Sequence, residues 1–300
     1  MIAITGASGN TGKVIVKSLL GQGQKVRVIG RTVERLQPLA AQGAEPVVSN
    51  LTDAGRLAEA FAGASAVYAM IPPNIASQDP LGERERVSDS LAQAIEKAGV
   101  KYVVSLSSVG ADKPDKVGPV VGLHNFEEKL NRLTGVNVLH LRPGYFMENT
   151  LAQVKIIQFL GSAAGPLRPD LKISMIATRD IGEVAARELA QLGFTGHTTR
   201  ELLGERDLTM TEVASIIGKA IGRPDLGYSQ APDWQVKFGM TQMGMSEQVA
   251  DLLLEMAAAL NSGYMKALEE RSAANTTPTS YETFVAEEFV PRYRGAAAGA

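Results

Sequence analysis

The chain opens on a short apolar run that leads into a glycine-rich turn, and this feature restricts the fold more than any other. Residues Ile2–Thr5 are predicted to form a buried strand, and an amphipathic helical pattern begins near Val14. Between them lie Gly6, Gly9 and Gly12, in a G-x-x-G-x-x-G spacing. In such turns the first glycine allows a sharp bend, the second lets the backbone approach a pyrophosphate, and the third lets the helix pack closely on the strand.

This turn predicts a dinucleotide-binding site. The first N–H groups of a helix lack partners inside the helix, and they attract phosphate together with the positive end of the helix dipole. Ser8, Asn10 and Thr11 lie in the same turn and are candidate cofactor-binding residues together with the three glycines. The alternative is an ordinary strand–helix turn that happens to be rich in glycine. The strand before the turn and the helix after it favour the binding site.

Short β-branched runs alternate with helical patterns throughout the first half of the chain. The predicted strands are Ile2–Thr5, Lys25–Ile29, Glu45–Val48, Ala66–Met70, Tyr102–Leu106 and Val136–Leu141. Alternation at this spacing is typical of right-handed βαβ units. The sequence therefore predicts an α/β fold built on a Rossmann-type doubly wound parallel sheet.

After about residue 149 helical patterns dominate. The predicted helices are Asp180–Leu192, Thr211–Ile221, Asp233–Phe238 and Glu247–Leu260. We expect an NAD(P)-binding Rossmann domain over residues 1–149 and a smaller, mostly helical substrate lobe over residues 150–300. The helix at 180–192 is expected to pack back on the sheet domain, and the segment after Tyr293 is expected to be frayed.

Composition narrows the classes of function. A formal net charge of -2 predicts no attraction to nucleic acid or to an anionic membrane. With three histidines and no cysteine, no metal site is expected. No apolar run approaches the roughly 20 residues that span a bilayer, and glycines interrupt the N-terminal run too early for a signal peptide. We therefore expect a cytoplasmic protein that acts on a small molecule, with a homodimer as one option for its assembly.

The end of the second strand bears on which dinucleotide is bound. Sites that prefer NAD place an acidic residue there, which accepts a hydrogen bond from the ribose 2′-hydroxyl. Here the strand is followed by Arg31, with Arg35 one helical turn later, and guanidinium groups pair well with phosphate. We therefore predict that NADP(H) is preferred over NAD(H). The alternative is that Arg31 is a solvated cation at the start of a helix.

Two later loops are also predicted to contact the cofactor. Asn50 and Leu51 follow the third strand and would flank the adenine. Met70, Ile71 and Pro72 follow the fourth strand and would lie along the middle of the cofactor. The alternative for both loops is simple packing.

Three motifs occur in an order and at distances that resemble a known family. They are Thr5–Gly12, Leu106–Ser108 and Leu141–Asn149. Together they resemble the atypical short-chain dehydrogenase/reductases of the NmrA-like group. That group includes NAD(P)H:quinone oxidoreductases, triphenylmethane reductases, and regulators that bind a dinucleotide without turning it over. The resemblance implies that substrate is held between a Rossmann domain and the C-terminal lobe.

The chain departs from the wider superfamily at the position of the proton donor. Reductases of the wider superfamily that the chain resembles use a Tyr-x-x-x-Lys pair, in which the lysine lowers the pKa of the tyrosine so that the phenol can donate a proton. Here His124 stands at the tyrosine position and Glu128 at the lysine position, as in the quinone-reducing subgroup. His124 is therefore the candidate proton donor, since histidine exchanges a proton near neutral pH. The alternative is that His124 only caps or packs the start of its helix.

Residues at two further strand ends are candidates for the same site. Ser107 and Ser108 end the fifth strand and are predicted to form hydrogen bonds with nicotinamide or substrate, unless they only begin a turn. Pro143, Gly144 and Tyr145 follow the sixth strand, where backbone groups would bind the carboxamide. For the tyrosine, a place in the core is the alternative.

Two hypotheses for function follow. The first is an NADPH-dependent reductase that transfers hydride to a quinone-like or other conjugated acceptor, which needs little help from a protein acid because water can protonate the reduced oxygen. The second is a non-catalytic NAD(P)-binding redox sensor that acts through a protein partner. The missing Tyr–Lys pair is compatible with both.

Three further features are expected to be structural. The charged run at residues 82–86 is interpreted as a solvated helix start. His140 lies inside an apolar strand and is predicted to be buried with its hydrogen bonds satisfied. His197 is placed in a turn.

Overall fold

A computed structural model describes residues 1–297 and contains one large sheet and two small ones. The strands are β1 (Ile2–Thr5), β2 (Val26–Gly30), β3 (Glu45–Val48), β4 (Ala66–Ala69), β5 (Tyr102–Leu106), β6 (Asn137–Pro143), β7 (Tyr145–Phe146), β8 (Ala163–Gly165), β9 (Ile173–Ile176), β10 (His197–Leu202), β11 (Asp207–Leu208) and β12 (Tyr228–Gln230). The six strands predicted from the first half of the sequence are all present. None of the strands that follow β6 was predicted; β10 has six residues and the others have two to four.

The helices surround these sheets. They are α1 (Asn10–Gly21), α2 (Val33–Ala40), α3 (Ala54–Phe61), α4 (Pro80–Ala98), α5 (Val121–Asn131), α6 (Gln153–Leu160), α7 (Thr178–Gln191), α8 (Met210–Ala220), α9 (Asp233–Gln242), α10 (Glu247–Ser262), α11 (Tyr281–Phe284) and α12 (Val290–Ala297). A 3₁₀ turn at Gly118–Val120 leads directly into α5. Among the described residues, no helix has the combination of length and apolarity needed to cross a membrane.

The large sheet has the strand order β3-β2-β1-β4-β5-β6-β10, and all of its strands are parallel. Successive side chains of β1 enter different cores: Ile2 and Ile4 pack with α1, α2 and α7, whereas Ala3 packs with α3, α4 and α5. Strands buried on both faces need apolar side chains in both directions, which explains the continuous apolar runs. The predicted Rossmann-type sheet is confirmed.

Two elements from beyond residue 149 belong to the sheet domain: one is a strand of the large sheet, and the other is a helix that packs on it. Strand β10 pairs with β6, and α7 packs against α1 so closely that a Cβ atom on Gly182 would lie 2.7 Å from the Cβ of Val14. The placement of His197 in a turn is wrong, because this residue begins β10. The division into residues 1–149 and 150–300 remains a prediction, and the structure adds α7 and β10 to the sheet side.

The C-terminal lobe has its own core. It contains the predicted helices α8, α9 and α10, and also the small sheets β11-β9-β7 and β12-β8. The largest buried side chains include Tyr281, Phe284 and Phe289, which belong to a helical segment that was not predicted. The expectation of a frayed segment after Tyr293 is also wrong for the described residues, since α12 continues to Ala297.

Candidate functional site

The glycine-rich turn lies where the sheet reverses its winding direction. Strand β1 has β2 on one side and β4 on the other, and in open α/β sheets ligands bind in the crevice beyond the strand ends at such a point. Gly6 has a φ of 61°, and the N–H of Gly9 donates to the Gly6 carbonyl at 2.9 Å. Helix α1 then begins at Asn10, with Gly9 as its N-cap and no side-chain cap. The first N–H groups of α1 are thereby left for a ligand.

The surrounding structure restricts the three glycine positions to different degrees. A Cβ on Gly12 would lie 2.3 Å from the Gly6 carbonyl oxygen, and a Cβ on Gly6 would lie 2.5 Å from the Sδ of Met70. Both positions are therefore restricted by the fold itself. A Cβ on Gly9 would meet only the Gly6 oxygen, at 3.2 Å, and Gly9 is exposed. Packing within the protein therefore does not require a glycine there as strongly as at Gly12.

Polar side chains beneath the turn fasten β1 and α1 to β4. The Thr5 hydroxyl donates to the Tyr68 carbonyl at 3.0 Å and accepts from the N–H of Met70 at 3.0 Å. The Tyr68 hydroxyl donates to the Thr11 hydroxyl at 3.2 Å, and burial raises the pKa of this phenol. The Thr11 side chain is therefore used inside the protein, so any contact with a dinucleotide would come from its backbone. Ser8 is only partly buried, and Asn10 is exposed.

A cavity of about 470 Å³ lies beside the turn, between α1 and α2. Its lining residues are Ser8, Lys13, Lys17, Arg35, Pro38, Leu39 and Gln42. We call this cavity the cationic groove, because three of its lining residues are cations and the described lining contains no carboxylate. Arg31 lies at the end of β2 and is exposed. Lys13 and Lys17 were not predicted, because they come beside Arg35 only when α1 and α2 fold over the same face of the sheet.

The two loops predicted to contact the cofactor contain both core and exposed residues. Leu51 and Ile71 are buried in the core beneath α3 and α4. Asn50 is exposed, although its side-chain oxygen accepts from the N–H of Thr52 at 3.2 Å. Met70 and Pro72 are partly buried, with Met70 against Gly6.

The segment after β6 is tied to its neighbours through its backbone. The Pro143 carbonyl accepts from the N–H of Val109 at 3.0 Å, and the N–H of Gly144 donates to the carbonyl of Leu202 at 2.9 Å. These two bonds use backbone groups that the sequence analysis assigned to a carboxamide. Tyr145 is partly buried, and burial raises its pKa to about 12.

His124 lies in the first turn of α5 and is partly buried. Its Nδ1 lies 2.9 Å from the carbonyl oxygen of Ala111. A carbonyl oxygen can only accept, so Nδ1 carries a proton and Nε2 is the nitrogen that accepts or delivers one. The Ser108 hydroxyl donates to the Val109 carbonyl at 2.8 Å.

A buried ion pair lies beneath the ends of β5 and β6. The Glu127 carboxylate accepts from Ser107 Oγ at 2.5 Å and from Arg142 Nε at 2.9 Å, and a second Arg142 nitrogen lies 2.5 Å from its other oxygen. Glu128, which the sequence analysis placed at the lysine position, is exposed. The acidic residue that faces the interior is thus Glu127, and the Ser107 hydroxyl is bonded to it.

Helix α10 covers the approach to α5. A Cβ on Gly118 would lie 1.9 Å from the Leu252 carbonyl oxygen, so α10 touches the 3₁₀ turn that precedes α5. Ser246, the N-cap of α10, donates from its hydroxyl to the Ser77 carbonyl at 2.5 Å in the loop after β4. Helix α10 is thereby attached to the segments that follow β4 and β5.

Comparison with known proteins gives consistent matches. The model of the NmrA-like family matches residues 1–290. An NAD(P)H azoreductase from Xenophilus azovorans is 28% identical over 267 residues, which cover 88% of this chain and 89% of the relative. A (4-alkanoyl-5-oxo-2,5-dihydrofuran-3-yl)methyl phosphate reductase from Streptomyces griseus is 30% identical over 226 residues, 75% of each chain.

A solved structure extends the likeness to the complete fold. The NADPH complex of an NADPH-dependent quinone oxidoreductase from Escherichia coli superimposes with a TM-score of 0.82 and 26% sequence identity. The match covers 96% of this chain and 100% of that chain.

Proposed function

The chain belongs to the NmrA-like family and is an NAD(P)H-dependent oxidoreductase, and we propose that it transfers hydride from NADPH to a quinone-like or other conjugated acceptor. By their names, the relatives described above reduce an azo compound, a dihydrofuranone phosphate and a quinone. All three are conjugated electron acceptors. The observation that carries the proposal is the open start of α1 beside Gly9, at the switch point of the sheet.

The residues of this chain fit a dinucleotide. The uncapped N–H groups of α1 suit the pyrophosphate, and Gly9 leaves room for it to approach the backbone. The cofactor supplies the hydride, and the protein has to hold the acceptor and exclude water. A carbonyl-reducing site with a Tyr–Lys pair delivers a proton as well, but a conjugated acceptor spreads the incoming charge and depends less on such a donor.

His124 is proposed to assist protonation through Nε2. The bond from Nδ1 to the Ala111 carbonyl fixes the ring, so the opposite nitrogen is free to exchange a proton with the reduced acceptor. Ser108 is proposed to lie in the same site, as it follows β5 and is only partly buried. Glu127 and Arg142 are proposed to hold α5 against β6 and so to position His124.

The cationic groove supports NADPH as the preferred donor. The 2′-phosphate of NADPH distinguishes it from NADH, and Arg35 and Lys13 supply positive charge in the groove beside the turn. Arg31, which follows β2 and is exposed, is proposed to add to it. The matched test is Arg35→Gln, with Arg56→Gln as a control that removes an exposed cation on α3. Titrations should show weaker binding of NADPH by Arg35→Gln, while its affinity for NADH and the control variant should change little. Equal loss for both dinucleotides would remove the support for this preference.

The first experiment is to mix the purified protein with NADPH and a panel of quinones, azo dyes and conjugated dyes. Loss of the absorbance of the reduced nicotinamide measures turnover, and a parallel titration measures dinucleotide binding. Saturable turnover with one or more acceptors is the expected result. Tight binding without turnover across the panel would contradict the proposal and favour the sensor hypothesis. Absence of binding would show that the glycine turn is structural.

A further inference from the structure

Arg84 differs from the other charged residues at the start of α4. The neighbouring side chains have partners within the protein: Glu83 accepts from Asn74 at 3.0 Å, Glu85 lies 2.5 Å from Lys129, and Arg86 lies 3.1 Å from Asp79. Arg84 forms no hydrogen bond or ion pair with the described part of the chain, and it is partly buried. The interpretation of residues 82–86 as a uniformly solvated helix start is therefore wrong for Arg84.

The side chain of Arg84 lies on the inner stripe of α4. Ser88, Leu91 and Ile95 follow it at helical spacing, and all three are buried. Helical side chains lean toward the N-terminus of their helix, so the guanidinium extends toward the edge of the sheet where the strands end. This is the edge that carries the glycine turn and His124.

Gly122 provides the room for this side chain. A Cβ on Gly122 would lie 2.7 Å from the Cδ of Arg84 and 3.0 Å from its Cβ. The apolar stem of Arg84 therefore packs across the start of α5, two residues before His124 along the chain. The stem is held by packing while the charged end remains without a partner.

Solvent reaches the guanidinium nitrogens of Arg84, but the half-buried side chain has lost part of its hydration, and a bound anion would compensate for this loss. Burial lowers the pKa of the Arg84 guanidinium, and no described carboxylate offsets that effect. Arginine nevertheless remains charged in proteins, so the cost is borne by the folded state. The N-termini of α4 and α5 add positive potential at the same edge. The charge of Arg84 and the positive ends of both helices would attract a negative group that binds there.

We infer that Arg84 binds an anionic substituent of the hydride acceptor, such as a carboxylate or a sulfonate attached to its conjugated system. The inference rests on the proposed function, since it gives the acceptor site a preference among conjugated compounds. Helix α10 touches the turn that leads into α5, so an acceptor beside Arg84 would lie between the sheet and the C-terminal lobe.

The test is a binding measurement that needs no turnover. Wild type and the variants Arg84→Met, Arg84→Lys and Arg86→Met are saturated with NADP⁺ and titrated with naphthalene-2-sulfonate and with 2-naphthol. Methionine keeps the apolar stem on Gly122, and Arg86→Met removes an exposed cation from the same helix. Arg84→Met should bind the sulfonate about 10- to 100-fold more weakly, as expected for the loss of a charge-assisted hydrogen bond, with Arg84→Lys in between. Binding of 2-naphthol and of NADP⁺ should remain within about twofold.

Three results would overturn the inference. They are unchanged sulfonate binding by Arg84→Met, an equal loss for 2-naphthol, and a loss of NADP⁺ affinity that places the anion on the cofactor. A thermal melt of each variant shows whether it folds, and Arg84→Lys keeps the inference testable if Arg84→Met does not. Because binding is measured without reduction, a protein that reduces no acceptor would contradict the proposed function while still testing Arg84.

A kinetic comparison adds a second readout. 1,2-Naphthoquinone and 1,2-naphthoquinone-4-sulfonate share a ring system and differ in one negative charge. Arg84→Met should lower kcat/KM for the sulfonate about 10- to 100-fold, mainly through KM, and should change the neutral quinone much less. A fall in kcat that is equal for both acceptors would contradict a role in binding the substituent.

Discussion

At the scale of single residues, the interior of the site is organised by Glu127 rather than by Glu128. Glu127 is buried and bonded to Ser107 and to both ends of the Arg142 guanidinium, so helix α5 is fixed to the ends of β5 and β6. Removing one member of a buried pair leaves the other charge without compensation, and this costs more than the pair itself contributes.

Glu127→Gln is therefore expected to lower the free energy of unfolding by about 3 kcal/mol or more, because Arg142 would remain buried without a carboxylate. The matched control is Glu128→Gln, whose exposed side chain should matter by less than about 0.5 kcal/mol. Urea denaturation at neutral pH measures both values. Equal values for the two variants would show that the ion pair does not hold α5.

Gly9 and Gly12 are expected to separate ligand binding from folding. Gly9→Val places its side chain where only the Gly6 oxygen is near, so the free energy of unfolding should change by about 1 kcal/mol, while NADPH binding should weaken on the order of 100-fold. Gly12→Ala should instead destabilise the protein, since its Cβ would lie 2.3 Å from the Gly6 oxygen. Paired titration and denaturation curves check this. Wild-type affinity in Gly9→Val would remove the main premise of the dinucleotide site.

The sequence predicted the turn but missed the ion pair and the cationic groove for physical reasons. The turn is local, so its spacing and the flanking patterns are visible in one stretch of chain. Glu127 was not singled out in the sequence analysis, although Phe126 and Leu130 mark the buried stripe beside it. A charged Arg142 in an apolar strand was the signal for a buried partner. Lys13 and Arg35 come to line one groove only because α1 and α2 cover the same face of the sheet.

At the scale of elements, the alternating strands and helices of the first half of the chain were predictable from the sequence, and the elements of the second half were less so. Strands buried on both faces produce the apolar runs that identify β1, β4, β5 and most of β6, whereas the edge strand β3 is largely exposed and the first half of β10 is exposed and polar. Nothing local shows that β10 joins the sheet, because the residues it pairs with in β6 lie 59 positions earlier in the chain, as for His197 and Val138. The segment from Tyr281 was missed because a short α11 and a π turn interrupt its helical period.

The crossing of α1 and α7 links the sheet to the cofactor turn. A Cβ on Gly182 would lie 2.7 Å from the Val14 Cβ and 3.0 Å from the Thr11 carbonyl oxygen. Gly182→Ala should therefore push α7 from the start of α1, lower the free energy of unfolding by about 1 to 3 kcal/mol, and weaken NADPH binding as well. The control is Gly21→Ala at the end of α1, which meets nothing within 4 Å.

Gly21→Ala should instead raise the free energy of unfolding slightly, by about 0.5 kcal/mol, as alanine is favoured over glycine in a helix. Both variants carry the same change in composition, so only the packing at the crossing differs. Thermal melts and NADPH titrations of the two proteins measure the effect. If Gly182→Ala were as stable as Gly21→Ala, the close crossing of α1 and α7 would be contradicted.

At the scale of the whole molecule, His140 gives stability a dependence on pH. Its side chain is buried between β5 and α5, where Nδ1 lies 2.7 Å from the Ser105 hydroxyl and Nε2 lies 2.9 Å from the Asn131 side-chain oxygen. An amide oxygen accepts only, so Nε2 carries the proton and Nδ1 accepts from the serine. The predicted buried and satisfied histidine is confirmed, and it is held in its neutral form.

Burial lowers the pKa of His140 to about 4, against about 6.5 for a histidine in an unfolded chain. Above about pH 6.5 both states are neutral, and the full stability is present. As the pH falls toward 4, the unfolded chain binds a proton that the folded protein does not, so the free energy of unfolding decreases by about 3 kcal/mol in total. Below about pH 4 both states are protonated, and this decrease ends.

The difference between wild type and His140→Gln isolates this effect, because other titrating groups, including the partly buried Glu148 and the buried Glu201, are common to both proteins. Urea denaturation at intervals between pH 4 and 8 should show that wild type loses stability relative to the variant. This loss should begin near pH 6.5 and increase as the pH decreases toward 4. The variant keeps a polar side chain for Ser105 and Asn131, so its stability at neutral pH serves as the baseline. A constant difference across this range would mean that His140 takes up a proton as readily in the folded protein as in the unfolded chain.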